Sequence, residues 1–250
     1  MLKSYISVFF ISILLCCGTS PQAPAADVDA DENVDVDVEK VESFIKRIDT
    51  LGLKILHPKF SRVDLVCGTM PQKSDTNVIF VGAAAFTGEL LKEFKQFNIA
   101  GNHVSSGQFH KGYRCKRNTG AFVYYNGKWK FCHQNYSDEM SIAAKNGGCA
   151  FGQEMIIYKG KLVKTIRNDN NKNQFRALCC KDEQLAIIES DSIITFGEFK
   201  QQLLSFGVSD AIYIDMGAGW NHAWYRNKDN VIELHPKIHD YCTNWVTFYK

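Results

Sequence analysis

Apolar residues recur at Val38, Val41, Phe44, Ile45, Ile48 and Leu51, and Gly52 follows. That spacing is the period of one helix face, and a glycine after the last turn is a common stop. The pattern therefore predicts an amphipathic helix ending at Leu51. Residues 61–67 and 78–81 read as short strands, and 88–97 (GELLKEFKQF) reads as a helix. Residues 121–125 and 128–132 flank Asn126-Gly127, a strong hairpin signal because both residues tolerate positive φ. A short helix is expected over 138–145. Two more hairpins are expected, one turning at Lys159-Gly160 between 154–158 and 161–165, the other at Lys181-Asp182-Glu183 between 175–180 and 184–189. Thr195-Phe196-Gly197-Glu198 has the capping-box pattern, so a helix should start near 196, with Phe199, Leu203 and Leu204 inward and Gly207 at its end. Residues 211–215 (AIYID) form a strong strand, and 222–226 and 241–248 read as closing strands. The expected class is α+β: one domain over residues 41–250, with a mostly antiparallel, hairpin-rich sheet flanked by a few helices.

Composition changes this picture mainly at the front end. The chain has 250 residues, 45% of them hydrophobic and 22% charged, which suits a globular domain. No apolar run reaches the roughly 18 residues that a spanning helix needs, which argues against a polytopic membrane protein. Residues 1–17 (MLKSYISVFFISILLCC) have one charge, Lys3, and an apolar centre, and they read as an export signal. Two endings fit. Ala23-Pro24-Ala25 suits ordinary cleavage, leaving a secreted protein. Leu14-Leu15-Cys16-Cys17 suits a lipobox with Cys17 lipidated, which would leave the protein tethered to a membrane in the periplasm or at the cell surface. Residues 18–40 then read as an acidic tether, since 27–40 (DVDADENVDVDVEK) carry seven acids and one lysine and cannot bury.

The formal charge of +2 hides this split: residues 41–250 carry a net +7. A mildly basic body suits an anionic ligand, or simply a solvated surface. The basic residues form no stripe with interleaved aromatics, so no nucleic-acid partner is expected. Seven cysteines follow the leader, an odd number with no CxxC and no paired ligand spacing. Free buried thiols are expected, with no metal and no cofactor.

Three features could carry chemistry. Asp215 ends the strand Ala211-Ile212-Tyr213-Ile214 and enters the turn Met216-Gly217-Ala218-Gly219-Trp220. A carboxylate held there suits acid–base work, with glycines that let a ligand approach the backbone. It equally suits capping its own turn. No helix follows, so the glycines are not a dinucleotide loop. Arg176 stands in an otherwise apolar strand, where a guanidinium needs an anion: a bound phosphate or a structural carboxylate. His103 and His110 lie in a Gly/Ser-rich loop that could line a site or serve structure alone. His235 and His239 are four apart, but Pro236 between them argues against a metal-binding helix face.

The order of these features resembles the phosphodiester glycosidase family. The resemblance runs over roughly residues 60–230. It begins with the small-residue segment Gly82 to Phe86, then the Gly/Ser loop at 101–107, the hairpin written Asn-Gly-Lys-Trp-Lys-Phe, and Gly152 to Lys161. It is most specific over 176–226, where Arg176-Ala177-Leu178 and Ala211 to Asp215 fall. Asp215 matches the aspartate of the family's Asp-Gly-Gly-Gly-Ser turn, Gly217 its second glycine, and Arg176 the arginine of its Arg-x-Ala segment. The chain departs at Met216 and Gly219, which replace a glycine and a serine, and at Gly82, which replaces an asparagine.

The resemblance implies an exported hydrolase acting on a carbohydrate phosphodiester without a cofactor. Arg176 would hold the phosphate, and Asp215 would act near the sugar or the attacking water. Trp220 or Trp224 would stack on the sugar, and Arg226 would be a second anion contact, with Gly217, Gly219 and His103 lining the site. The alternatives are a non-catalytic glycan-binding envelope lipoprotein that uses the same aromatics as a platform, and a structural envelope protein.

Overall fold

The computed structural model describes residues 43–87, 99–217, 221–236 and 242–250. The first hairpin, β1 (Ile45–Thr50) and β2 (Leu53–Pro58), stands where the apolar spacing predicted a helix. The reason is local. Leu51 and Gly52 both have positive φ, 53° and 73°, which is the geometry of a two-residue hairpin turn, and Thr50 faces Leu53 across it. Gly52 turns the chain back instead of ending a helix. Leu51, counted on the apolar face, sits at the tip with 65% of its surface exposed.

Strands β3 (Arg62–Cys67) and β4 (Val78–Ala83) come next. After them come β5 (His103–Ser105), β6 (Gln108–His110), β7 (Gly120–Tyr125), β8 (Lys128–His133), helix α1 (Ser137–Lys145) and β9 (Cys149–Gln153). The middle of the chain holds β10 (Met155–Tyr158), β11 (Lys161–Leu162), β12 (Lys172–Asn173), β13 (Arg176–Lys181), β14 (Gln184–Ser190), β15 (Ile194–Thr195), helix α2 (Phe196–Ser205) and β16 (Asp210–Ile214). Strands β17 (Ala223–Asn227), β18 (Asn230–Glu233) and β19 (Asn244–Tyr249) complete the chain. They make three larger sheets, ordered β1-β2-β14-β13-β16-β10-β11, β18-β17-β4-β19-β3 and β6-β5-β9-β7-β8, with β12 and β15 as a separate pair. Every ladder between these strands is antiparallel.

The class is therefore β-rich, not α+β with flanking helices: of the described residues 49% are strand and 10% helix, with two helices among them. The physical cause is that strands cover strands. One face of the seven-stranded sheet (Leu56, Leu178, Ile187, Ile212, Ile214) packs into a core shared with Leu65, Phe80 and Phe248 of the second sheet and Phe122 and Phe151 of the third. Only its other face (Ile55, Ala177, Ile188, Tyr213) needs a helix, and α2 supplies Phe196, Phe199 and Leu203. Helix α1 does the same for the third sheet through Met140 and Ala143. The helix expected over 88–97 lies wholly outside the described residues.

The expected start of α2 is present. Thr195 Oγ1 accepts from Glu198 N at 3.1 Å, and Glu198 Oε2 accepts from Thr195 N at 2.7 Å. Thr195→Ala leaves a helix donor without its partner and should lower stability by about 1 kcal/mol, read by urea denaturation.

Candidate active site

The hairpin between β13 and β14 turns at Asp182 and Glu183, both at positive φ. Arg176 and Glu189 lie symmetrically about that turn and face each other directly, and Glu189 in turn faces Lys54 of β2. Three neighbouring strands thus carry a cross-sheet row of cation, anion and cation. Alternation places it on the same face as Leu178, Ile187 and Leu56. Arg176 has no exposed surface and Glu189 has 2%.

Arg176 donates from Nε and Nη2 to Glu189 Oε2, at 3.0 and 2.7 Å, and from Nη2 to the Asn221 carbonyl at 2.9 Å. Its remaining nitrogen, Nη1, is buried and has no partner among the described residues. The other carboxylate oxygen, Glu189 Oε1, accepts from His235 Nε2 at 2.7 Å and lies 3.6 Å from Lys54 Nζ. Burial alone would raise the Glu189 carboxyl. The Arg176 charge and the His235 hydrogen bond outweigh it and bring the group down to about 2, so Glu189 is an anion at any ordinary pH.

Asp215 follows the last residue of β16, Ile214, which pairs with Arg176. The Asp215 amide donates to the Ala84 carbonyl at 3.1 Å, so the segment after β4 lies against it. The side chain is 6% exposed. Oδ1 accepts from Gly217 N at 3.1 Å, so Gly217 serves an Asx-type turn. Burial raises the carboxyl to about 6, against the pull of Gly217 N–H, Arg167, Met216 N–H and Arg176. Nearby Cys242 is pushed up to about 12, mainly by burial. It and the six other cysteines of the described residues are free thiols.

Arg167 is the charge that acts most strongly on Asp215, and the sequence reading did not single it out. Its guanidinium stands 4.3 Å from the Tyr213 ring centre and 5.3 Å from that of Phe196. Its loop is held by Glu154, a fully buried carboxylate whose Oε1 accepts from Ile166 N and Arg167 N at 2.6 and 2.8 Å. Asp215 therefore lies in the field of two guanidiniums, each ion-paired with a buried glutamate, Arg167 with Glu154 at 3.6 Å and Arg176 with Glu189 at 2.7 Å. Glu189 was missed as well, and His235 was weighed only with His239 as a metal pair. The signal for Glu189 was present, because folding the hairpin at Asp182-Glu183 puts the buried acid opposite Arg176. His235 had none, since it lies far along the chain from Glu189.

The other residues singled out from sequence go elsewhere. Trp224 is fully buried, packed with Val78, Val81, Ala83 and Trp245, because β17 is interior to its sheet; it presents no face to a sugar. Arg226 donates to the carbonyls of Val78, Lys73 and Asp75, so it ties a loop in place instead of offering an anion contact. His103 lies on β5 with its ring stacked on His110 at 5.0 Å. Burial lowers it to about 4, which keeps it neutral. A Cβ at Gly82 would meet the Phe80 ring at 2.9 Å, so an asparagine there requires that ring to move. Gly219, Trp220 and Cys17 lie outside the described residues. Two open hollows, of about 700 and 430 Å³, are lined by other residues, the first by Asp169, Ile194 and Gln201, the second by Arg62, Asp64 and Tyr124.

No protein-family model and no curated protein sequence matches this chain. Solved structures do. The catalytic domain of zebrafish N-acetylglucosamine-1-phosphodiester alpha-N-acetylglucosaminidase, auto-inhibited by its pro-peptide, aligns with a TM-score of 0.55 at 12% identity, over 83% of this chain and 82% of that one. A hypothetical protein from Synechocystis aligns with a TM-score of 0.58 at 9% identity, over 82% of this chain and 61% of that one. At such identities the likeness is one of fold alone: the chain shares the fold of that catalytic domain.

Proposed function

We propose that the chain hydrolyses a glycosyl phosphodiester, cutting the bond between an anomeric carbon and a phosphate in an envelope or extracellular glycan. The observation that carries the reading is Asp215: a buried carboxyl raised to about 6, in the field of two guanidiniums that each keep a buried nitrogen with no hydrogen-bond partner among the described residues. The shared fold supports the substrate class.

The chemistry suits the arrangement. Breaking the anomeric bond builds positive charge on the sugar, which a carboxylate stabilises. The departing phosphate is a stable anion, so strong acid assistance is unnecessary and cations matter more. Arg176 through Nη1, with Arg167, is the group we assign to the phosphate; both come preformed, which avoids reorganisation during the reaction. At pH 7 a group with a pKa near 6 is about nine-tenths ionised and still exchanges its proton readily.

The test is the purified full-length chain in mild detergent, incubated with a panel of sugar-1-phosphodiesters, beside Arg176→Lys. We expect release of free sugar by the parent chain. In Arg176→Lys we expect it to fall on the order of 100-fold, because a lysine cannot reproduce the guanidinium fork. Binding of the panel without release would instead favour a glycan-binding protein. We also propose that the chain is exported and tethered through lipidated Cys17. Labelling with a radioactive fatty acid should mark the parent chain and not Cys17→Ala; equal labelling overturns the tether.

A further inference from the structure

Resting on the hydrolase reading above, we propose that His235, oriented by Glu189, is the base that takes the proton of the attacking water through its Nδ1.

The geometry leaves one arrangement of the imidazole. Glu189 holds Arg176 with one oxygen and His235 Nε2 with the other, at 2.7 Å, and an ionised carboxylate only accepts. Nε2 therefore carries the proton. In the neutral ring Nδ1 is then the lone-pair nitrogen, and it has no partner among the described residues. Of the three groups touching Glu189, Arg176 is wholly enclosed, while Lys54 and His235 reach the surface, with 17% of the His235 side chain exposed. His235 is the only one of them whose side chain pairs its donor to Glu189 with a second ring nitrogen able to accept.

The backbone supports the assignment independently. His235 has φ of +78°, a region few non-glycine residues enter, and it precedes Pro236, which disfavours that conformation further. Such a conformation persists only where its surroundings impose it, and here they do. The ring is held by Glu189, and the carbonyl accepts from Nδ1 of His222, itself buried. Strain held from both ends to aim one side chain is a mark of a working site.

The step balances. A water proton passes to His235 Nδ1, giving an imidazolium whose other N–H stays on Glu189. The water oxygen bonds to the anomeric carbon. The bond from that carbon to the phosphate oxygen breaks with its electron pair on the oxygen, leaving free sugar and a phosphate monoester. The imidazolium then loses its proton to solvent.

Two measurements on the full chain test this. Long-range ¹H–¹⁵N spectra of histidine-labelled protein, with His235 assigned by its loss in His235→Gln, should show the neutral Nε2–H form; an Nδ1–H form overturns the proposal. In the sugar-1-phosphodiester assay, His235→Gln keeps a donor for Glu189, so the ion row survives while the base is lost. We expect kcat to fall on the order of 10² to 10⁴-fold with KM within about threefold, and added imidazole to restore part of the rate. A His235→Gln protein that turns over within twofold of the parent overturns the role of His235 and leaves the hydrolase reading standing. A parent chain inactive on the whole panel overturns the hydrolase reading, and with it this one.

Discussion

Glu189→Ala is expected to destabilise the fold by about 3–5 kcal/mol, the usual loss when one partner of a buried ion pair is removed. The size follows from what stays behind. Arg176 has no exposed surface, and its Nε and Nη2 both depend on Glu189 Oε2. Without that carboxylate a guanidinium is left inside the protein, with the Asn221 carbonyl as its hydrogen-bond partner among the described residues, and it cannot shed its charge as a lysine could. Lys54 loses its anion as well. The double variant Arg176→Met with Glu189→Leu should recover much of the loss, because an apolar pair of similar volume replaces the buried charges. Urea denaturation of both variants measures this. A Glu189→Ala protein within 1 kcal/mol of the parent would mean that the row across β2, β14 and β13 is solvated.

The pH dependence has a definite sign. Glu189 is lowered from 4.5 to about 2, so its contribution is fully present above about pH 4.5 and is lost as pH falls through about 2. Acid unfolding should therefore be steep below pH 4, and Glu189→Ala should flatten it.

Asp215→Asn should have opposite effects on activity and stability. Removing the carboxylate should cut sugar release by a factor on the order of 10³ or more if the group acts at the reacting carbon. The fold should become more stable, but only above about pH 4, with the gain complete above about pH 6. Asp215 is raised from 3.8 to about 6, so the folded chain keeps a proton that the unfolded chain releases earlier. Stability is full below about pH 4 and is lost as pH rises through about 6, by roughly 3 kcal/mol in all. Asparagine removes that loss and still accepts from Gly217 N with its amide oxygen. Denaturation at pH 4 and pH 8 should show no gain at the lower pH and a gain at the higher. A loss of stability at pH 8 would mean that the charged carboxylate is welcome where it sits, against the burial argument.

Much of the local structure was legible in the sequence. Asn126-Gly127 and Lys159-Gly160 turn hairpins at positive φ, and the capping box starts α2 at Phe196. Asp215 stands just past a buried strand, and Arg176 has an anionic partner. The helix expected up to Leu51 failed although its apolar residues keep a helical period, because the sequence alone could not see the turn at Leu51-Gly52 or β14 waiting to pair with β2. Trp224 and Arg226 misled for a related reason. An aromatic and a cation beside a glycine turn look like ligand contacts until the neighbours of their strand are known.

The sequence by itself determined the turns, the cap and the residue types able to do chemistry, because those depend on φ preferences and hydrogen bonds within a few positions. Only the tertiary structure decided which charges meet. Cross-strand register set Glu189 between Lys54 and Arg176, a loop laid Arg167 over Tyr213 close enough to act on Asp215, and the chain returned to bring His235 onto Glu189. Those contacts join residues far apart along the chain, and it is their shared burial, not their order, that sets each group's charge.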